Sequence, residues 1–115
     1  MTAPLDNEKA NHKRMNNLEL LPLRREIDAI DDELVVLLNK RADLVVRLPE
    51  IKERASLPLI DDDREKEVLV RVARLAAGPF DHKAIMRIFS TIIRECRGVQ
   101  RQRLAKDGTS QREST

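Results

Sequence analysis

Tryptophan and tyrosine are absent from this 115-residue chain, and phenylalanine occurs twice. Glycine occurs only three times. A core must therefore be aliphatic, and hydrophobic residues do supply 41% of the chain. Leu, Ile, Val and Ala with so little glycine suggest helices rather than sheets, so the expected fold class is all-α. Cysteine occurs once, as Cys96, which excludes an intrachain disulfide. No apolar run is long enough to cross a bilayer, and the opening MTAPLDNEKANHKRMNNLEL holds no apolar h-region. The expectation is a cytoplasmic protein with no membrane partner. An excess of one charge is also missing: 22 basic and 20 acidic side chains leave a formal net charge of +2. That balance gives no reason to expect a nucleic-acid partner.

What is present is helical periodicity. Residues 1–17 are polar and aperiodic and read as a flexible tail, as do residues 105–115. Between them, residues 18–104 form one helical domain with three helical segments. The first, about Leu20 to Arg54, carries Leu20, Leu23, Ile27, Ile30, Leu34, Leu37, Leu38, Val45, Leu48 and Ile51 at steps of three and four. A loop around Leu57-Pro58-Leu59 ends it. The second opens at Asp62, which with Glu65 resembles a capping box, and carries Val68, Leu69, Val72 and Leu75. Gly78-Pro79 breaks it. Asp81 is placed to cap the third, with Ile85, Ile88, Phe89, Ile92, Ile93 and Cys96 on its stripe.

The first segment sets the architecture. About 35 helical residues make a rod of roughly 50 Å, whereas a domain of this size has a radius of gyration of about 13 Å. Two shorter helices cannot cover that rod, and Val35, Val36, Leu44 and Val46 widen its apolar surface. A second copy is the simplest cover, so a homodimer with packed long helices is expected. Pro49 interrupts the pattern, because proline removes a helical hydrogen bond. The expected helix continues through it, unbroken or mildly kinked; the alternative is a monomer in which the helix breaks there.

Four polar residues stand where apolar ones belong. Arg41 follows Leu34 by seven and Leu37 by four, Lys52 follows Val45 by seven and Leu48 by four, Arg24 lies between Leu20 and Ile27, and Gln100 follows Cys96 by four. An unpaired buried charge is costly. Pairing with acids or snorkelling to the surface is the ordinary remedy, yet the nearest acids in sequence mostly point elsewhere. An anion outside the protein accounts for several such cations at once. Arg41 and Lys52, eleven apart, face the same way on an ideal helix, about 16 Å apart along its axis. Arg24 lies about 100° away and roughly 25 Å along, so it reaches a partner's ligand more readily than its own chain's.

The stretch LLPLRREIDAIDDELVVLLNKRADLVVRLPEIKERASLPLIDDDREKEVL resembles the first two helices of the all-helical chorismate mutases, and IFSTIIRECRGVQ resembles their third. The resemblance covers about residues 18 to 104. It rests on LxxLRxxIDxID, an Arg and a Lys eleven apart, DxxRE, and a late Gln, all in order. It implies an intertwined dimer with two equivalent sites and no cofactor or metal. It implies that Arg24, from the partner chain, and Arg41 hold substrate carboxylates, and that Lys52 contacts the ether oxygen and a carboxylate. Asp61 would contribute through its backbone and Arg64 as a further cation. Glu65 would accept from the ring C4 hydroxyl, and Gln100 would donate to the ether oxygen. The implied reaction is the Claisen rearrangement of chorismate to prephenate. It needs no nucleophile, and His12 and His82 are isolated near expected loops.

Two positions depart from the family. Cys96 stands where a serine is common near the substrate, and a thiol packs like a small hydrophobe. Pro49 stands where the helix usually continues. Three substrates stay open: chorismate, 4-amino-4-deoxychorismate, whose C4 ammonium would pair with Glu65, and isochorismate, for a lyase. The pathway, whether aromatic amino acid or antibiotic biosynthesis, stays open with them. A rival reading starts from the basic stripe Arg94, Arg97 and Arg101, with Arg103 beyond it: a helical dimer that binds nucleic acid or a regulatory partner. No aromatic platform accompanies these arginines, and a solvated face beside the active site explains them more simply.

Overall fold

Every regular element among the described residues of the computed structural model is a helix; the backbone of residues 3–113 and the side chains of residues 17–106 are described. The chain is all-α, as expected. Its helices are α1 (Ala3–Val45), α2 (Leu48–Arg54), α3 (Asp62–Arg74) and α4 (His82–Glu113). None of the described helices is long and apolar enough to cross a membrane. The chain divides into two units, Met1–Leu37 and Leu38–Thr115.

The first unit is formed by α1 residues. Pro22 lies inside the helix without ending it. Ten large apolar side chains between Leu18 and Leu37 are 40–70% exposed. Single exposed leucines are ordinary, whereas a continuous series on one helix marks a face that needs a cover.

In the second unit, α3 packs on α4, and Val68, Val72, Ala73 and Cys96 are buried. Asp81 caps α4 as expected: its carboxylate accepts from the Ala84 N–H at 2.7 Å. The cap of α3 is Asp61 rather than Asp62, its Oδ1 accepting from the Arg64 N–H at 2.9 Å. A capping side chain serves the N–H three residues ahead of it, and Arg64 is the third residue of α3, so the cap falls at 61 and not at 62. Leu75, expected on the α3 stripe, instead ends the helix and is exposed. The His82 ring contacts the Ala73 carbonyl through Nδ1, tying the start of α4 to the end of α3. His12 lies outside the described side chains.

The main correction concerns the first segment. It does not continue through Pro49. Helix α1 ends at Val45, residues 46–47 form a turn, and α2 begins at Leu48 with Pro49 buried in its first turn. The cause is local. Pro49 has no N–H for the carbonyl of Val45, four residues back, and its ring crowds that carbonyl. In a first turn the missing N–H costs nothing, because N–H groups there have no intrahelical partner.

The far end of α2 is closed by its own backbone. The Ser56 N–H donates to Glu53 O at 3.1 Å, and the Leu57 N–H donates to Lys52 O at 2.8 Å. Ser56 has φ 55°. These paired bonds around a left-handed residue form a Schellman motif, with serine where glycine is usual. The motif turns the chain sharply and delivers Leu59, Ile60 and Asp61 back toward the helices.

Candidate active site

A cavity of about 460 Å³ opens among α2, α3, α4 and the end of α1, within the second unit. That size suits one small organic molecule. Seven of the eight residues singled out in the sequence line it: Arg41, Lys52, Asp61, Arg64, Glu65, Cys96 and Gln100. Arg24, the eighth, belongs to the first unit, is exposed, and does not line this cavity.

Arg41 and Lys52 do converge on one cavity, but not along one helix. The turn at 46–47 separates them, so α2 re-aims Lys52 after α1 has ended. The eleven-residue spacing therefore named two residues that line one cavity, on a geometry that the structure replaces. Each cation is held by a neutral group. An Arg41 N–H donates to Cys96 Sγ at 3.2 Å. Lys52 Nζ donates to Leu59 O at 3.0 Å. Among the described residues neither forms an ion pair with a carboxylate. Sulfur is a weak acceptor and a carbonyl is uncharged, so both positive charges remain uncompensated at the cavity wall.

Cys96 is 6% exposed. Its sequence reading as a small hydrophobe was incomplete, since the buried thiol also receives the guanidinium and fixes where Arg41 points. Lys52 serves the loop twice: its carbonyl accepts from Leu57, and its ammonium spans to Leu59. The segment between α2 and the α3 cap is thus anchored on one residue.

Gln100 Nε2 donates to the Val45 carbonyl at 3.2 Å. Val45 ends α1, and Pro49 leaves its carbonyl without the N–H that a continuous helix would supply. A carbonyl only accepts, so the amide must turn its nitrogen toward Val45. One N–H is then used and the other is free for a ligand. The proline and the glutamine, read separately in the sequence, act at one atom.

On the opposite wall the charges are paired. Glu65 forms an ion pair with Arg97, and Arg97 also lies 3.5 Å from Asp62 Oδ1. Arg64 lies 3.6 Å from Glu67 in an exposed pair, an arrangement of small energetic value. Arg97 and Arg101 line the cavity, so two members of the basic stripe belong to the site rather than to a solvated face alone. The signal was available: Ile93, Arg97, Gln100, Arg101 and Leu104 recur at helical steps of three and four, sharing the face of Gln100.

Cations without acidic partners, an oriented amide and apolar walls from Leu44, Leu48, Ile60 and Val68 make a cavity whose chemistry suits a small anion. Residues 23–101 match the family described as chorismate mutase type II, and the chain belongs to that family. It is similar to the bifunctional chorismate mutase/prephenate dehydratase of Aquifex aeolicus, with 40% identity over 73% of this chain and 24% of the relative. It is 37% identical to the 4-amino-4-deoxychorismate mutase of Streptomyces venezuelae, over 69% of this chain and 79% of the relative. A solved chorismate mutase (form II) from Thermus thermophilus superposes with a TM-score of 0.68 and 28% identity, covering 72% of this chain and 94% of that one. The chain spans only 20–24% of the length of the bifunctional relatives.

Proposed function

We propose that this chain rearranges chorismate to prephenate, without cofactor, in a site built on residues 18–104 and completed by a second copy. The observation that carries the reading is the set Arg41, Lys52 and Gln100 on one cavity, the two cations forming no ion pair with a carboxylate among the described residues. Family membership supports the same reaction.

In the rearrangement an ether C–O bond breaks while a C–C bond forms within one molecule. No proton is gained or lost and no covalent enzyme intermediate is needed. The protein's task is to hold the dianion in its folded, reactive conformer and to place donors where negative charge grows on the ether oxygen. Arg41 and Arg64 serve the carboxylates, with Arg24 of the partner chain as the third cation. Lys52 and the free N–H of Gln100 serve the ether oxygen. Asp61 contributes its backbone N–H, since its side chain and carbonyl are engaged in the first turn of α3. Glu65 accepts from the C4 hydroxyl. Gln100 does not titrate, so it stays a competent donor at neutral and mildly alkaline pH.

The ten exposed apolar side chains between Leu18 and Leu37 support the homodimer, because a second α1 is the cover of matching length and pattern. Under this reading the tails at 1–17 and 105–115 lie outside the catalytic domain.

The test is direct. With no Trp or Tyr in the protein, loss of the ultraviolet band of chorismate is followed without interference, and prephenate, an isomer of the same mass, is identified by its acid-catalysed loss of water and carbon dioxide to phenylpyruvate. Stoichiometric appearance of prephenate is expected. Unchanged chorismate at micromolar enzyme, in a preparation with helical circular dichroism, refutes the proposal.

A further inference from the structure

The cavity wall carries five cationic side chains, Arg41, Lys52, Arg64, Arg97 and Arg101, against two carboxylates, Asp61 and Glu65. Neither carboxylate is free. The Asp61 side chain caps α3 through the Arg64 N–H. Glu65 is held by Arg97, which lies against Asp62 as well. Arg97 and Glu65 are 41% and 29% exposed at the side chain, so the pair sits in the wall rather than out in solvent, where screening would erase it. Of the two carboxylates, Asp61 is turned to the start of α3 by its cap, and Glu65, the carboxylate matched to the C4 group, is already neutralised by a cation.

We infer that Arg97 makes this cavity select against ligands that carry an ammonium group. The inference deepens the proposed mutase reading, on which the choice of substrate pair rests. An ammonium directed at Glu65 needs that carboxylate as a counter-ion, and it meets the guanidinium of Arg97 there. Like charges brought together at a partly desolvated site are strongly disfavoured. A hydroxyl has a smaller requirement. It needs one lone pair, and a carboxylate has about four acceptor sites, so Glu65 can keep Arg97 and still accept an O–H. The Glu65–Arg97 pair thus admits a neutral donor and repels a cationic one. Arg97 acts through Glu65 and is a specificity-determining residue of the C4 pocket.

The experiment compares kcat/KM on chorismate and 4-amino-4-deoxychorismate for the wild type, Arg97→Ala, Arg97→Lys and Arg97→Ala/Glu65→Gln. The wild type is expected to favour the hydroxyl compound by about tenfold or more, and Arg97→Ala to move the ratio toward the amine by about as much. Arg97→Lys keeps the charge and should keep the preference. Adding Glu65→Gln should erase the gain of Arg97→Ala, because the released carboxylate is then gone. Should Arg97→Ala lose its helical circular dichroism, Arg97→Gln keeps the chain length without the charge and answers the same question. A wild type that uses the amine equally well, or a ratio unmoved in the uncharged variants, overturns the inference. If neither compound is turned over, the mutase reading itself has failed. Both compounds then stay intact, and calorimetric titration reads the preference as a ratio of Kd values. Binding of neither compound, or equal binding of both, overturns the inference too.

Discussion

The two units of the chain are incomplete in different ways. Among the described residues, Met1–Leu37 has ten exposed large apolar side chains, and Leu38–Thr115 has two cations, Arg41 and Lys52, that form no ion pair with a carboxylate. The first deficit is large and undirected. Burying the exposed half of a Leu or Ile is worth on the order of 1 kcal/mol, and ten such residues crowd one helix. The second deficit is small in area but specific in kind. Arg41 and Lys52 are held by a thiol and a carbonyl, groups that orient a cation without neutralising it. An apolar face accepts any matching apolar surface, whereas two fixed cations accept only an anion of the right span. On the proposed reading a second copy meets the first deficit and the substrate meets the second.

Several changes would break or sharpen this contrast. Lys52→Ala and Arg41→Ala strike the second unit hardest. Each should cut kcat/KM on chorismate by on the order of 10²–10³-fold or more, while the helical circular dichroism stays intact. A loss of less than tenfold in steady-state assays would mean that these cations do not serve the ligand. Ile30→Asp, on the exposed series of the first unit, should shift the protein from dimer to monomer in analytical ultracentrifugation, since a charge cannot be buried there unpaired. Gln100→Ala should lower kcat by about 10²-fold, the cost of one preorganised donor, with KM changed less. Pro49→Ala supplies an N–H to Val45 O and displaces the Gln100 amide from it. We expect a fall in kcat smaller than that of Gln100→Ala, and no further fall when the two are combined, because both act at one atom. The smallest effect is at Ser56. A glycine relieves the left-handed backbone but adds freedom to the unfolded chain, so Ser56→Gly should move the unfolding free energy by less than about 1 kcal/mol, measured by urea titration.

Much of this was legible in the sequence, and the limits have physical causes. Period 3.6 gave the all-α class and the capping role of Asp81. Misplaced charges gave Arg41 and Lys52, because a cation on an apolar stripe is anomalous at the level of spacing alone. The break after Val45 was harder to read. The cost of a proline depends on whether the helix restarts around it, and Pro22 shows that a proline need not end a helix. Arg97 was missed for a related reason. It sits among other arginines, so its charge looks ordinary, and its partner Glu65 lies thirty-two residues away on α3. Pairing across helices has no signature in a single sequence. The contact between Arg41 and Cys96 was equally hidden, since nothing in the spacing of either residue points to the other.

The proposal that two chains share each site is tested most directly by mixing inactive variants. Arg24→Ala and Arg41→Ala, each without measurable mutase activity, are refolded together and assayed on chorismate. Random pairing makes half the dimers mixed, each with one intact site of two, so about a quarter of wild-type activity should return. No recovery, with mixed dimers verified by mass, would contradict a site built from two chains.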